Sequence, residues 1–470
     1  MLKKDRQYNF IEEVKNTLGK DFFYDTTSIY REEPRGLFEN KSKFVVKPNS
    51  TQQVSNFLKL ANKYKIGIVP RAGGTGLVGG QMSPSESWIT LSLEKMDNIK
   101  NFSSLNQSVE VEAGVNLSKL QNFVKDKNYF LPLSMASQGS CLIGGNLATN
   151  AGGVNVLKYG TARDLCLGIE VVLADGTIFD DLKVIKKDNT GYDLKNLFIG
   201  SEGTLGIITS AIMRVYPKPE KKIVSLLSFS EPKDAVQCYE RIYKKLGAFV
   251  QAYELISSVG VEFLEEKNLD FVLPFKKKPE WIVLIELAFN GVKLEDVFLE
   301  SLEKLHKQSL IKEAVISGSL AQSERMWAMR EAIPEANRLV GAVSSHDISV
   351  PIDQISEFIL STNETIKKLN SELRINCFGH IGDGNLHYNV FPPKGKYNKK
   401  FFGEKEKLRK IIHDSCFRFN GSVSAEHGIG RLKVEDLEKY SDKGKLASMI
   451  AIKKALDPSR ILNPGVIFKN

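Results

Sequence analysis

Hydrophobic and polar residues alternate with different periods in different parts of the chain, and these periods divide it into regions. Between residues 44 and 217, short runs rich in Val, Ile and Leu recur, which is typical of buried strands. Two stretches with helical spacing of apolar residues interrupt them. The predicted strands are 66–69, 88–93, 109–111, 169–173 and 207–215, and the predicted helices are 51–64 and 117–127.

After residue 217 the pattern changes to strands that alternate with helices. Pro217-Lys218-Pro219 marks the change, since neither a helix nor a central strand passes through such a segment. An antiparallel sheet with helices on one face is therefore predicted. Its predicted strands are 224–229, 249–255, 282–287, 315–317, 374–380 and 385–391, and its predicted helices are 233–246, 294–306 and 321–339, the last interrupted at Pro334.

These changes of pattern predict an α+β protein with four regions. A helical lead-in covers 1–37, with apolar residues at helical spacing. A sheet-rich and glycine-rich domain covers 38–217, and the α+β domain covers 218–397. The last region, 398–470, is mostly helical and ends in Asn463-Pro464-Gly465.

Composition limits the class of protein without identifying it. Of the 470 residues 42% are hydrophobic, and no apolar run approaches the roughly 20 residues that span a bilayer. The net charge of +9 could suit anionic substrates, anionic lipid or nucleic acid. The lysines are spread along the chain, which favours general solvation, and no nucleic-acid motif is present. The short lysine runs at 276–278 and 399–400 are typical of surface loops. The five cysteines are scattered along the chain, which predicts free thiols and a cytoplasmic location. Acidic residues near the N terminus argue against a transit peptide.

Two of the six histidines, His380 and His387, flank a Gly382-Asp383-Gly384 turn between two predicted strands. The glycines allow the positive φ angles of a tight reversal, which would bring both imidazoles to one end of a sheet. Glu426 and His427 follow along the chain. Two imidazoles and a carboxylate suit a divalent transition metal and leave a position for substrate. The alternative is a pair of hydrogen-bonded histidines beside a turn.

Three glycine-rich loops lie in the sheet-rich domain. The first contains Gly74-x-Gly76-x-x-Gly79, the dinucleotide fingerprint, and Glu94 stands where a ribose-binding acid is expected. No helix signal follows, so we prefer a nest of backbone N–H groups around a pyrophosphate. A plain glycine-rich turn is the alternative. The other two loops are 137–153 and 198–209.

Together these motifs resemble a known family. PRAGGTGLVGG, IGGNLATNAGG, IGSEGTLGIIT, GHIGDGNLH, AEHGIG and LNPG occur in the order found in the FAD-dependent 2-hydroxy-acid dehydrogenases of the vanillyl-alcohol oxidase superfamily. That family includes D-2-hydroxyglutarate dehydrogenase, D-lactate dehydrogenase and the FAD subunit of glycolate oxidase. The resemblance covers nearly the whole chain. It implies a PCMH-type FAD-binding domain, a substrate domain and a C-terminal helical cap that closes on the flavin.

The resemblance also implies roles for individual residues. His427 would be the catalytic base. In the mechanism we predict, Arg330 would bind a substrate carboxylate and Asn385 and Asn389 would orient the substrate. A solvent-facing strand position is the alternative for Asn389. FAD would be bound non-covalently, because no histidine precedes position 306. The ligands of a divalent metal, zinc or manganese, would be His380, His387 and Glu426. The residues expected at the FAD are Arg71, Ala72, Gly73, Gly74, Thr75, Gly76, Gly79, Ser137, Gly139, Gly144, Gly145, Asn150, Ala151, Gly152, Gly153, Glu202, Gly203, Ile207, Ile208 and Asn463.

The implied reaction oxidises a D-2-hydroxy acid to a 2-oxo acid, with proton removal by His427 and hydride transfer to flavin N5. Candidate substrates are D-lactate, D-2-hydroxyglutarate and glycolate. Pro334 and Ser345 stand where several relatives have Thr and Lys, which favours a monocarboxylate unless His346 supplies the charge.

The electrons would leave to an external quinone, cytochrome or electron-transfer flavoprotein, because the cysteines form no cluster for an iron–sulfur centre. A peripheral association with the inner membrane through that acceptor, and a homodimer, are compatible with this reaction. The alternatives are the FAD subunit of a multi-component glycolate- or lactate-oxidising complex and a flavin oxidase that uses oxygen.

Overall fold

The computed structural model describes residues 3–185, 187–291 and 293–469. The chain forms two compact units, each built from separate stretches. The first unit comprises Met1–Gly152, Gly160–Lys218 and His427–Asn470, and the second comprises Gly153–Tyr159 and Pro219–Glu426. The predicted cap, 398–470, is therefore divided between the two units, and the boundaries of the four predicted regions remain predictions.

The strands, in chain order, are β1 (Phe23–Asp25), β2 (Phe44–Val46), β3 (Ile68–Arg71), β4 (Ile89–Ser92), β5 (Ile99–Ser103), β6 (Ser108–Glu112), β7 (Tyr129–Phe130), β8 (Cys166–Val172), β9 (Ile178–Asp181), β10 (Ile207–Arg214), β11 (Tyr216–Pro217), β12 (Lys221–Phe229), β13 (Val250–Ser257), β14 (Trp281–Phe289), β15 (Glu313–Ile316), β16 (Ser344–Ser349), β17 (Arg374–Gly379) and β18 (Asn385–Phe391).

The helices, in chain order, are α1 (Lys3–Leu18), α2 (Ser28–Arg31), α3 (Thr51–Tyr64), α4 (Leu117–Lys125), α5 (Ile143–Ala148), α6 (Val156–Tyr159), α7 (Ala162–Leu165), α8 (Lys195–Phe198), α9 (Pro232–Leu246), α10 (Ser258–Glu266), α11 (Glu295–Lys307), α12 (Leu320–Val340), α13 (Ile355–Leu369), α14 (Lys405–Arg418), α15 (Val434–Tyr440) and α16 (Lys443–Leu456).

The first unit contains two larger sheets. One has the order β1-β2-β4-β3, with β2, β4 and β3 parallel, and the other is antiparallel with the order β5-β6-β10-β8-β9. Helix α3 begins at Ser50, whose side chain accepts a hydrogen bond from the Gln53 N–H. Its Phe57 and Leu58 pack in one cluster with Phe10 of α1 and with the first sheet. Strand β3 ends at Arg71, so the first glycine loop leaves the sheet from the end of a buried strand.

The second unit contains one seven-stranded antiparallel sheet, in the order β15-β12-β14-β13-β17-β18-β16. Alternate residues of β12 enter different clusters: Ile223 and Leu227 pack with α9, α11, α13 and α14, whereas Val224 and Leu226 pack with α10 and α12. The predicted α+β arrangement is confirmed, but the prediction of helices on one face is wrong. Strands that are apolar at consecutive positions must be covered on both faces.

Helix α12 continues through Pro334, although the sequence predicted an interruption there. Proline cannot donate the helical hydrogen bond to the carbonyl of Arg330, four residues earlier. Met329 and Ile333 before it, and Ala336 after it, are buried against the sheet. This packing holds the helix together on both sides of the proline.

Candidate active site

The predicted hairpin of the second unit is formed by β17 and β18, joined by a turn of 3-10 helix at Ile381–Asp383. Gly384 has φ +86, and a Cβ there would overlap the Val350 carbonyl oxygen, so only glycine fits. Gly382 serves a different purpose: its φ is not in the left-handed region, and a Cβ would lie 2.7 Å from the Leu157 side chain. The hairpin prediction is confirmed, with Gly384 supplying the positive φ.

The hairpin brings His380 and His387 together, with ring centroids 5.5 Å apart. Glu426 joins them: each of the three residues offers one ligand atom, and these atoms lie within 4.8 Å of one another. Nε2 of His387 lies 3.9 Å from Oε1 of Glu426. Two imidazoles and one carboxylate at this spacing could hold a divalent metal and leave coordination positions open.

Glu254 on β13 stands directly behind His380. Its Oε1 lies 2.7 Å from Nδ1 of His380, and its Oε2 accepts hydrogen bonds from Arg330. Burial favours the neutral form of Glu254, but His380 and Arg330 outweigh it and lower the Glu254 pKa to about 2. Burial alone would lower the pKa of His380, and Glu254 instead raises it to about 9. A carboxylate on Nδ1 fixes the ring and turns Nε2 toward a metal.

Asp347 on β16 supports the other two candidate ligands. Its Oδ2 accepts the Glu426 backbone N–H at 3.0 Å, and its Oδ1 lies 3.9 Å from Nδ1 of His387. Asn385 donates to the same Oδ1 at 2.9 Å. Burial raises the pKa of Glu426 to about 7, against the lowering effect of His380. Two supporting carboxylates thus lie behind the three candidate ligands.

Sequence reasoning missed both Glu254 and Asp347. Glu254 carried a signal, because a charged residue in the apolar run Ala252-Tyr253-Glu254-Leu255-Ile256 is rarely buried without a partner. Asp347 carried a weaker one, as the acid directly after His346. Their pairing with His380 and Glu426 joins residues 126 and 79 positions apart, which a local pattern cannot reveal.

Arg330, expected to bind a substrate carboxylate, binds a carboxylate of the protein itself. The residue is 5% exposed, and its guanidinium lies over the Phe378 ring and donates from Nε at 3.0 Å and Nη2 at 2.8 Å to Oε2 of Glu254. The third guanidinium nitrogen, Nη1, is not used by these two bonds. Arg330 therefore orients Glu254, and a contact with substrate would use Nη1 or the second N–H of Nη2.

Asn389 lies on the same face of β18 as His387, two residues away. It is buried, and its Oδ1 accepts the His346 backbone N–H at 3.2 Å. The expectation of a solvent-facing position, the alternative to a substrate contact, is therefore wrong. Its cross-strand partner is Ser345, which is exposed.

His346 points to the opposite face of β16 from Asp347, because neighbouring strand residues alternate. Its Nε2 lies 2.7 Å from the Ser344 hydroxyl, and its Nδ1 lies 2.9 Å from Nε2 of His413 on α14. The ring is thus held in a buried hydrogen-bonded pair. It faces away from the side of the strand that carries Ser345, where the resemblance places a lysine.

In the first unit, the loop after β3 has the character of an anion nest. Gly74 and Gly79 have φ +72 and +73. In the described part of the chain, no hydrogen-bond acceptor lies opposite the backbone N–H groups of residues 73–77. A Cβ on Gly73 would overlap the Ser140 carbonyl oxygen, so the second loop packs against the first. Backbone N–H groups that have no protein acceptor, in a loop whose glycines carry no side chains, are suited to bind a pyrophosphate.

Arg71 underlies this loop rather than projecting from it. Its Nη2 donates to the Ile29 carbonyl at 2.6 Å, and its guanidinium lies over the Tyr30 ring. A Cβ on Gly74 would overlap that guanidinium. Glu94, the acid at the ribose-binding spacing, instead accepts from Tyr30 at 2.6 Å and pairs with Lys47 at 2.8 Å. No helix opens between β3 and β4, a stretch that the structure describes in full, which agrees with the rejection of a Rossmann motif.

Glu202, in the third loop, ties together distant segments of the first unit. Its carboxylate accepts the backbone N–H groups of Ile429 at 2.7 Å and Gly430 at 2.8 Å, and its carbonyl accepts from Asn463 at 2.8 Å. Burial raises the pKa of Glu202 to about 6, with the two N–H groups opposing it. The side chain expected at the FAD thus holds the loop that follows His427.

Comparison with known proteins gives consistent results over the whole chain. Residues 218–467 match the family described as FAD linked oxidases, C-terminal domain, and residues 42–181 match an FAD binding domain. The D-2-hydroxyglutarate dehydrogenase of Bos taurus, a mitochondrial protein, is 36% identical over 90% of this chain and 76% of its own length. The D-2-hydroxyglutarate dehydrogenase of Stutzerimonas stutzeri is 32% identical over 94% of this chain and 95% of its own length.

The chain belongs to the family of FAD-linked oxidases. The resemblance to the FAD-dependent 2-hydroxy-acid dehydrogenases is confirmed, and so is the prediction of an FAD-dependent enzyme. The solved structure of p-cresol methylhydroxylase with substrate bound has a TM-score of 0.76 at 16% identity, covering 98% of this chain and 97% of that one. The predicted PCMH-type FAD-binding fold is thereby confirmed.

The loops of this FAD-linked oxidase fit the cofactor that its family implies. The nest at residues 73–77 offers backbone N–H donors that suit a pyrophosphate. Gly144 and Gly145 instead let the second loop pack closely on the protein, since a Cβ there would lie 2.6 Å from Ala113 and Ala72. All the residues expected at the FAD lie in the first unit except Gly153. Ile207 and Ile208 are buried on β10, and Asn463 is buried with φ +42.

The five cysteines are free and buried, as the prediction of free thiols requires. In the part of the chain that the structure describes, no helix combines the length and the apolar character of a bilayer span.

Proposed function

We propose that this FAD-linked oxidase oxidises a D-2-hydroxy acid to the corresponding 2-oxo acid. The observation that carries the proposal is the cluster of His380, His387 and Glu426, with Glu254 and Asp347 behind it. Metal-binding histidines usually donate their second N–H to a carboxylate, and the contact between His380 and Glu254 has that form. The names of the relatives, D-2-hydroxyglutarate dehydrogenases, support the same reaction class.

His380, His387 and Glu426 would hold a zinc or manganese ion, which when bound would chelate the substrate and acidify its hydroxyl group. Bound FAD would supply the two-electron acceptor for the Cα hydride. The donor set fits a divalent metal, because two imidazoles and one carboxylate occur at ligand spacing.

The protein's own residues would divide the remaining work. His427 would accept the hydroxyl proton, as the resemblance implies, and it follows Glu426 directly in the chain. Glu254 would keep Nε2 of His380 facing the metal. Arg330 would bind the substrate carboxylate through Nη1 or the second N–H of Nη2, while Nε and Nη2 stay on Glu254. Asn389 would orient the substrate from the neighbouring strand position.

The strand position at Ser345 favours a substrate whose tail, beyond the 2-hydroxy acid group, is short or uncharged. Ser345, opposite Asn389, is exposed and has no charge, at the position where the resemblance places a lysine. A second carboxylate would meet no cation at that position. We therefore infer a preference for a monocarboxylate such as D-lactate, with D-2-hydroxyglutarate as the second candidate because of the relatives' names. Electrons would pass to an external acceptor.

Anaerobic flavin bleaching tests this proposal directly. The FAD-loaded protein is mixed with D- and L-lactate, D-2-hydroxyglutarate and glycolate, before and after removal of metal with a chelator. We expect bleaching by D-acids, fastest with D-lactate, that is lost on chelation and restored by zinc or manganese. Replacing Ser345 by Lys should shift the preference toward D-2-hydroxyglutarate.

Two results would contradict the proposal. Bleaching that survives complete removal of metal would exclude the metal role, and absence of bleaching by any 2-hydroxy acid would exclude the substrate class. Rapid oxygen consumption during turnover would instead favour the oxidase alternative. Copurification with redox subunits would favour a subunit of a larger complex.

A further inference from the structure

The basic residues of this chain are less evenly distributed over the structure than the sequence suggested. The segment from Lys394 to Lys410, called here the 394–410 segment, contains eight basic and two acidic residues. Its net charge is therefore +6, out of +9 for the whole chain. The segment lies in the second unit, follows β18 and includes the first six residues of α14.

The local geometry turns one stripe of this segment outward. Residues Asn398–Glu404 form a 3-10 helix, in which side chains three residues apart share a face. Phe401 packs on the core and Glu404 accepts a hydrogen bond from Asn370, so that stripe points inward. Lys399, Phe402 and Lys405 form a different stripe, and all three are exposed.

Exposed aromatic rings accompany the lysines. Phe402 is 48% exposed and Tyr397, directly before the 3-10 helix, is 79% exposed. Tyr397 and Lys400 are three residues apart, which repeats the pairing of Phe402 with Lys399. Exposing large aromatic side chains to water is unfavourable, and exposed aromatic residues that lie near one another indicate a binding surface.

The lysines of the segment are not neutralised by neighbours. Arg409 pairs with Glu406, and Lys410 pairs with Asp414. The lysines that form no ion pair within 4.0 Å in the described part of the chain are Lys394, Lys396, Lys399, Lys400, Lys405 and Lys407. Six ammonium groups without an ion pair, in the same segment as two exposed rings, make a surface that is suited to a dense array of anions.

We propose that the 394–410 segment docks the protein on a membrane surface rich in anionic lipid, with Tyr397 and Phe402 at the headgroup level. The exposed cations of the segment are all lysines, and lysine is depleted in protein–protein interfaces, where arginine is enriched. Lysine clusters beside aromatic residues are typical of surfaces that bind anionic bilayers. The proposal goes beyond the reaction and does not depend on it.

Vesicle co-sedimentation of the full-length, FAD-loaded protein tests the proposal. Binding is expected to vesicles of phosphatidylcholine with phosphatidylglycerol, and not to phosphatidylcholine alone, with loss at high salt. Each lysine near the surface contributes roughly a fivefold change in partitioning. The double variant K399Q/K400Q should therefore bind roughly 30-fold more weakly, and F402S should also bind more weakly.

The matched control removes two exposed lysines from another loop of the same unit. Lys276 and Lys277 are exposed and, in the described part of the chain, form no ion pair, so K276Q/K277Q removes the same charge elsewhere. Equal weakening by both double variants would overturn the proposal, since it would reflect net charge alone. Absence of binding to anionic vesicles would also overturn it, and binding of the segment to an acidic protein instead would assign it to a protein partner. An unchanged midpoint of urea unfolding in K399Q/K400Q would show that the variant is folded.

Discussion

At the scale of the residue, a single buried carboxylate organises the candidate active site. Glu254 contacts His380 through one oxygen and Arg330 through the other, so two groups that sequence reasoning treated as independent share one partner. The pKa values follow from this contact: that of Glu254 falls and that of His380 rises. The contact also explains why Arg330 is almost fully buried although it was expected to face the substrate.

Replacing Glu254 by Gln should weaken metal binding. Glutamine cannot accept from both His380 and Arg330, so the His380 ring loses the partner that orients it. Loss of such a supporting group typically costs about 10–100-fold in metal affinity or activity, and we expect a decrease of roughly that size. Competition with a zinc-binding dye measures the affinity.

Glu286 provides the control for this change. It is also buried, on the neighbouring strand β14, and it pairs with Lys222 at 2.8 Å and Trp327 at 2.8 Å. Breaking the buried Glu254–Arg330 pair should reduce stability by about 3–5 kcal/mol. Glu286→Gln should cost less, because the Lys222 partner of Glu286 is 43% exposed. Both variants are therefore compared by urea unfolding. Only Glu254→Gln should reduce metal affinity. Equal metal affinities in the two variants would contradict the positioning role.

At the scale of the element, the β17–β18 hairpin sets the distance between the two histidines. Its register pairs Phe378 with His387, and the 3-10 turn closes over Gly384. The sequence predicted both strands and the turn, because apolar alternation and glycine chemistry are local. The continuity of α12 across Pro334 was not predictable in this way, since packing with β12 and β14 decides it.

Replacing Gly384 by Ala should displace the hairpin. Any Cβ in this left-handed conformation is strained by roughly 1–2 kcal/mol, and here it would also overlap the Val350 carbonyl oxygen. We expect a total loss of about 3 kcal/mol or more, together with weaker metal binding. Urea unfolding and zinc competition measure the two effects.

Gly395 is the matched control, because it has φ +75 and a Cβ added there would meet no atom within 4 Å. Replacing it by Ala should cost only the backbone strain, roughly 1–2 kcal/mol, and should leave metal binding unchanged. If Gly384→Ala behaved like Gly395→Ala, the close approach to Val350 would not be what fixes the turn.

At the scale of the whole molecule, the residues expected to bind FAD, apart from Gly153, and the residues expected to bind the metal belong to different units. The nest, Glu202 and Asn463 lie in the first unit, whereas His380, His387 and Glu426 lie in the second. The chain passes from the second unit to the first between Glu426 and His427. One peptide bond thus joins a candidate metal ligand to the candidate base.

Hydrogen exchange followed by mass spectrometry should show that FAD and zinc protect different segments of the chain. FAD at roughly 100 times its Kd should slow exchange of the N–H groups of residues 73–77 by up to about 100-fold, because those donors lack partners without it. Zinc should instead slow exchange in residues 380–387. Protection of residues 73–77 by zinc, or none by FAD, would contradict the assignment of the nest.

The sequence alone determined the family and many of the elements, because strand alternation, helical spacing and glycine loops are local signals and the six motifs stand in order along the chain. Helices α10 and α13 and strand β16 were not among the predicted elements. The sequence also identified the three candidate metal ligands. Tertiary structure decided what lies behind them: Glu254 and Asp347 reach the ligands through strand pairing, and Glu202 reaches the loop after His427 across more than 200 residues. It also decided the second helical layer on the large sheet. These contacts depend on burial and register between distant segments, which no local pattern contains.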